Sequence, residues 1–430
     1  MAQRLDARKA GFDAAFARLI ATRGESLDGV DRAVAAIIDR VRRDGVTAIL
    51  DYAAQFDGMI MTAEDLRVSE TQINHAIGQC PADLIAALEA ATARIFAFHT
   101  QQIPEDRQWT DDRGVMLGWR WSPVDAAGLY SPGGLAAYPS AVLMNAMAAK
   151  AAGVARVAMA TPPKRALENP AILAAAKIAG VHEIWRVGGA QAVAALAFGA
   201  GPMAPVDVIV GPGNAFVAAA KKQVFGAVGI DSIAGPSEVF IIADTTAPAE
   251  WLAADLLAQA EHDGDAQSVL FTDNDAVAEA VSEAVERLLP QAGASARESW
   301  ARHGAIIRVA RLADAVAFSD RAAPEHLQLA VADPEPLSKL VRHAGAIFLG
   351  VHTPEALGDY VAGPNHVLPT GRAARYASAL SPLSFMKRTS LIGADAAGLA
   401  AIGPIAARLA DAEGLPAHAL SVRIRSGAAS

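Results

Sequence analysis

Apolar residues in the first hundred positions recur with a helical period. Val34, Ile37, Ile38 and Val41 fall at i, i+3, i+4 and i+7, and Leu84, Leu88, Ala91 and Ile95 repeat the spacing. These stripes predict helices, with Gly45 and Gly58 as breaks, the first after a helix and the second after a strand. From about residue 124 the rhythm changes to short apolar runs alternating with helical ones. A strand is expected at 126–130, a glycine-rich turn at 131–138, a helix at 141–152 and a strand at 154–160. The next helix is bracketed by Asn169 as N-cap, Pro170 in the first turn and Gly180 at the end. Strands at 183–187 and 206–210 each run into a glycine turn and then a helix. The series restarts after 239–243, with a helix to His262 and strands at 268–272, 305–309, 327–331 and 346–349. Alternation of this kind predicts parallel sheets covered by helices on both faces, here in two successive α/β modules. The tail predicts one helix, 404–411, and a terminal strand, 419–424.

Composition narrows the function. The 430 residues carry a net charge of −9 and a pI near 5.6, a poor match for a phosphate backbone, so nucleic acid is not an expected partner. With 53% hydrophobic and 19% charged residues there is material for a large core. The single cysteine, Cys80, forms no internal disulfide, reads as a small buried filler, and fits a reducing compartment. The uncharged stretches 126–149 and 187–206 are broken by prolines and glycines, so neither reads as a membrane span, and the N-terminus lacks the apolar core of a secretory signal. A cytoplasmic protein is expected.

Several segments carry candidate chemistry. Gly188-Gly189-Ala190-Gln191 and Gly211-Pro212-Gly213-Asn214 each join a strand to a helix, where free N–H groups suit a pyrophosphate, although the strict G-x-G-x-x-G fingerprint is missing. Gln259 and His262 stand at i, i+3 on one helix face, a mixed O/N donor pair for zinc, or else a solvated helix end. Glu325-His326, at a strand entrance, can divide base and water-activating roles, or be a surface pair. Gly358-Asp359-Tyr360 and Gly363-Pro364-Asn365-His366 read as loop, and His418 lies near the C-terminus with Glu413 five residues earlier. His75, His99, His182, His303, His343 and His352 read as surface or helix residues.

Taken together these segments resemble the histidinol dehydrogenase family over nearly the whole chain from about residue 28. The carriers are GLYSPGG and YPSAVLMNA at 128–146, VGGAQAVAALAFG at 187–199, VGPGNAFVAAAK at 210–221 and GIDSIAGPSEV at 229–239. ADLLAQAEHD at 254–263, APEHLQLAV at 323–331, GDYVAGPNHVLPT at 358–370 and AEGLPAHALSVR at 412–423 complete the set. The resemblance implies one zinc ion per subunit held by Gln259, His262, Asp359 and His418, and a catalytic pair Glu325 and His326. It implies NAD contacts at Tyr130, Gln191 and Asn214, and substrate contacts at Ser237, Gln259, His262, His326, Asp359, Glu413 and His418. The implied reaction oxidises L-histidinol to L-histidine through L-histidinaldehyde with two NAD reduced. His326 would take the alcohol proton, and Glu325 would activate water in the second half.

The implied architecture has two Rossmann-like modules in a homodimer. Residues 1–25 form an N-terminal arm, 26–128 join 239–380 in the metal and catalytic domain, 129–238 form the NAD domain, and 381–430 cross to complete the partner's site. Leu135, Pro382 and Ser384 depart from the family pattern without touching a catalytic position. Another zinc- and NAD-linked dehydrogenase acting on a different polar alcohol is the alternative on the same scaffold; a non-catalytic binding protein would have no need of the Glu325-His326 pair.

Overall fold

The computed structural model describes residues 2–21, 29–132, 138–233 and 235–426, and its strands assemble into three sheets. One is parallel, with spatial order Glu183–Arg186, Arg156–Thr161, Ala126–Tyr130, Val208–Val210 and Gly229–Ile230. Counted along the chain this order is 3-2-1-4-5. The winding therefore reverses between Ala126–Tyr130 and Val208–Val210, which opens a crevice at their carboxyl ends. Both faces are covered. On one, Val34, Ile37, Ile38 and Val41 of helix Asp31–Asp44 share a core with Val193 and Leu196 of Gly189–Phe198. On the other, Leu88 and Ile95 of Ala82–Thr100 join Leu143, Met144 and Met147 of Pro139–Ala152 and Ile172 and Leu173 of Pro170–Ala179. The last helix starts and stops where its composition dictates. The Asn169 side chain accepts from the Ala171 N–H at 3.2 Å, and Gly180 ends it at φ 76°.

A second parallel sheet has the order Gln3–Asp6, Ala305–Arg308, Gln267–Thr272, Glu238–Ala243, His326–Ala330 and Ala346–Leu349. Without its first strand this sheet also winds 3-2-1-4-5. Helices Ala249–Ala260 and Asp275–Leu288 cover one face through Leu252, Leu256, Val281 and Val285. Phe12 and Phe16 of Phe12–Leu19 and Val316 of Leu312–Ala322 cover the other. Met386–Gly393, Met116–Pro123 and Arg107–Thr110 form a small antiparallel sheet. The chain is thus an α/β protein of two parallel sheets and one antiparallel sheet. No helix among the described residues is long and apolar enough to cross a membrane.

The structure corrects several expectations. Residues of the expected N-terminal arm are built into a sheet. Gln3–Asp6 pairs with Ala305–Arg308, and Phe12, Phe16 and Leu19 are buried, because a four-residue strand among charges leaves no periodic signal. The helices between residues 31 and 100 were expected beside the catalytic module but pack on the five-stranded sheet instead. Amphipathic stripes state that a helix is buried, not against what. The break at Gly58 follows a helix, Val46–Asp57, rather than a strand. The terminal strand expected at 419–424 is the helix Pro416–Arg425, with Pro416 in its first turn. The expected helix 404–411 lies within the longer Ala396–Ala412, which carries Pro404 internally. Asp359 sits on a short helix, Glu355–Tyr360, rather than in a loop. His99 is fully buried, with Nδ1 2.8 Å from Gln102 Oε1 and Nε2 3.2 Å from Asn365 Nδ2. Cys80 is half-buried. Leu135 lies outside the described residues.

Candidate active site

Glu325 and His326 are both buried, and the backbone of one residue anchors them. The Glu238 N–H donates to Glu325 Oε2 at 3.1 Å, and the Glu238 carbonyl stands 3.1 Å from His326 Nδ1. The parallel register that pairs His326 with Val239 sets this arrangement. A carbonyl only accepts, so Nδ1 carries the imidazole proton and Nε2 presents a lone pair. Nε2 lies 4.0 Å from Asp359 Oδ1. Burial holds the His326 pKa below the ordinary histidine value, which favours the neutral ring with its Nε2 lone pair free. Burial pushes the Glu325 carboxyl up to about 7, against the pull of hydrogen bonds from the Ser237 side chain and the Glu238 N–H. Two proton-transfer groups thus stand side by side in forms useful near neutrality.

A donor cluster adjoins them. Helix Ala249–Ala260 runs back from the central strand Glu238–Ala243, so its C-terminal end brings Gln259 and His262 to the amino edge of the sheet, where His326 opens its strand. His262 Nε2 is 3.8 Å from Asp359 Oδ2, and single atoms of His262, Glu355 and Asp359 all lie within 4.8 Å of one another. Two donors on one tetrahedral zinc ion at about 2.0–2.1 Å stand roughly 3.4 Å apart, so these side chains would hold one metal ion after closing in by a fraction of an ångström to about one ångström. Gln259, fully buried, packs its amide against Glu355, and with the NH2 end turned that way it donates to Oε1 at 2.8 Å and Oε2 at 3.3 Å. Burial and the nearby Asp359, Glu325 and Asp255 raise the Glu355 carboxyl well above the usual range. His366 Nδ1 donates to the Asp359 carbonyl at 2.9 Å. Sequence reasoning passed over Glu355. Its i, i+4 spacing to Asp359 was a usable signal, but only once that stretch is known to be helical.

Glu413 and His418 are exposed on the terminal segment, and the His418 imidazole meets none of the other expected ligands among the described residues. Ser237 reaches the site through its bond to Glu325.

Tyr130, Gln191 and Asn214 gather at the switch point of the five-stranded sheet. Tyr130 ends its strand, and its buried hydroxyl accepts from the Gly189 N–H at 3.0 Å at the start of the helix that carries Gln191. Burial pushes the Tyr130 phenol up to about 12. Asn214 caps the helix Ala215–Val224, its oxygen accepting from Phe216 and Val217. Between them, the Gly211 N–H donates to Asp231 Oδ2 at 2.8 Å while Lys221 Nζ donates to the Gly211 carbonyl at 2.9 Å; Lys221 and Asp231 are themselves a buried ion pair. Tyr138 feels the charges of Asp263 and Glu261 beside His262.

A switch-point crevice on one parallel sheet, with a buried proton-transfer pair and a metal-compatible cluster at the edge of the other, is an arrangement suited to an α/β oxidoreductase. The family model for histidinol dehydrogenase matches residues 21–426. The chain is 56% identical to the histidinol dehydrogenase of Caulobacter vibrioides over 416 residues, 96% of each chain. It is 57% identical to that of Rhodospirillum rubrum over 428 residues, 99% of each. The crystal structure of histidinol dehydrogenase from Elizabethkingia anophelis superposes with a TM-score of 0.93 at 35% identity, covering 99% of this chain and 98% of that one. The protein belongs to the histidinol dehydrogenase family.

Proposed function

We propose that the chain oxidises L-histidinol to L-histidine through L-histidinaldehyde, reducing two NAD, the last steps of histidine biosynthesis. The observation that carries this reading is the buried Glu325-His326 pair, pinned by Glu238, beside the His262–Asp359 donors in a chain of this family. His326 Nε2 takes the alcohol proton in the first oxidation, releases it to solvent, and then takes the hydrate proton in the second. Glu325, as carboxylate, takes a proton from the water that adds to the aldehyde carbon. Ser237 holds the Glu325 carboxylate in place between the two events.

Gln259, His262 and Asp359 would hold zinc together with His418 of a second copy, and Tyr130, Gln191 and Asn214 would line the NAD crevice. When bound, zinc orients the substrate through its nitrogen donors and NAD accepts hydride. Glu413 would reach the substrate with the same tail. An exposed apolar face on the two terminal helices, through Ile405, Leu409, Leu420 and Ile424, supports a homodimer in which the tail docks on a partner.

The test is NADH formation by purified protein supplied with zinc, with L-histidinol compared against other amino alcohols. Efficient turnover is expected for L-histidinol alone; chelation should abolish it and added zinc restore it. A better rate with another alcohol would transfer the assignment to that substrate.

A further inference from the structure

The geometry points to Glu355 as a positioning residue that turns the Gln259 amide so that its oxygen faces the metal-binding cluster. This inference rests on the ligand set proposed above. An amide side chain has two nearly isosteric ends with opposite chemistry: the oxygen ligates a cation and the NH2 group cannot. Gln259 is fully buried on the last turn of Ala249–Ala260, with no solvent to compete for either end. With its nitrogen toward Glu355 the amide makes hydrogen bonds at 2.8 Å and 3.3 Å to the two carboxyl oxygens; the reverse orientation sets acceptor against acceptor when Glu355 is a carboxylate, and offers a single bond when it carries a proton. The Glu355 carboxylate therefore selects the orientation in which Gln259 Oε1 is turned away from it and left for a cation.

The same carboxyl group reaches the catalytic pair. Glu355 Oε1 is 3.5 Å from His326 Nδ1, whose proton already has the Glu238 carbonyl at 3.1 Å. A single buried side chain thus touches an amide of the donor cluster and the proton-transfer imidazole. The competing role is that Glu355 is itself a metal ligand, since one of its oxygens lies within 4.8 Å of donors on His262 and Asp359. Against that role, both of its oxygens are within reach of the Gln259 amide.

A double-mutant cycle on the full-length protein separates the two roles. Zinc affinity, read by competition with a chromophoric chelator, would be compared for the native chain, Gln259→Ala, Glu355→Leu, Glu355→Gln and the pair Gln259→Ala with Glu355→Leu. Partners that orient metal ligands usually account for about 10–100-fold in affinity. Glu355→Leu should lose that much. Glu355→Gln, whose amide oxygen still accepts from Gln259, should stay near native, and Glu355→Leu should add nothing once Gln259 is alanine. Additive losses would make Glu355 a direct ligand and overturn the inference, as would native affinity in Glu355→Leu or a full loss in Glu355→Gln. If Glu355→Leu does not fold, Glu355→Ala in both backgrounds gives the same comparison. Native affinity in Gln259→Ala would remove the ligand assignment, and this inference with it; the other adverse outcomes leave that assignment standing.

Discussion

Glu325 and His326 are neighbours in sequence with opposed protonation demands, and the backbone of Glu238 serves both: its N–H favours the carboxylate and its carbonyl fixes the imidazole tautomer. Their roles should separate on mutation. Glu325→Gln keeps the shape but removes the base, so oxidation of L-histidinol to the aldehyde should persist slowly. Oxidation of L-histidinaldehyde should fall by about 10²–10⁴, the usual contribution of a positioned base. Equal losses on the two substrates, followed as NADH formation, would refute the division. The pH dependence has a definite sign. Burial keeps the Glu325 carboxyl protonated below about 7, so the base form grows as pH rises through that value. The aldehyde half-reaction should therefore climb between about pH 6 and 8, and Glu325→Gln should lose that limb.

The strand-to-helix turns carry their constraints in backbone. Gly211 adopts φ 114°, and a Cβ there would come 2.2 Å from the Tyr130 carbonyl oxygen, a contact with backbone that no rotamer relieves. Gly211→Ala should displace the turn that carries Asn214, raising the KM for NAD in steady-state assays more than the KM for L-histidinol. Lys221 and Asp231 hold the same glycine from both sides, buried. Lys221→Met leaves the Asp231 charge without its partner and should cost about 3–5 kcal/mol, measured as a lowered urea midpoint. An unchanged midpoint would show the pair to be dispensable. No spacing in the sequence announces this bracket, because Lys221 reads as one more basic residue in the last turn of a helix.

At the scale of the molecule, one chain gathers Gln259, His262, Asp359, Glu325 and His326 but leaves Glu413 and His418 exposed on a terminal helix pair with an apolar face. If the tail completes a partner's site, mixed dimers of His326→Ala and His418→Ala chains hold one intact site. Co-expression should restore measurable NADH formation where either variant alone has almost none. No restoration in proven heterodimers would place the tail on its own chain. The placement of the first hundred residues has its own consequence. Phe16 is fully buried against the six-stranded sheet, so Phe16→Ala should cost about 3–5 kcal/mol, read from the same urea curves.

Local chemistry was legible in the sequence wherever it depends on near neighbours. The stripe Val34–Ile37–Ile38–Val41 is the buried face of a helix, Asn169 and Gly180 bound theirs, and the alternation after residue 124 is two parallel sheets. The residues of the candidate site, and the family to which they point, lie in unbroken motifs. What spacing does not encode is which distant segments meet. The four residues Gln3–Asp6 are a strand only because Ala305–Arg308 offers an open edge. The helices of residues 31–100 took a sheet that their stripes do not name. Pro416–Arg425 is helical where a short apolar run read as strand. Glu355 gained its place beside Gln259 only when two helices far apart in sequence converged on one edge of the sheet. Helix periods and turn residues act within a few positions of the chain, so the sequence determined most of the helices and strands of the two parallel sheets. Long-range packing is decided by which buried faces and open edges fit one another, and that was settled only in three dimensions.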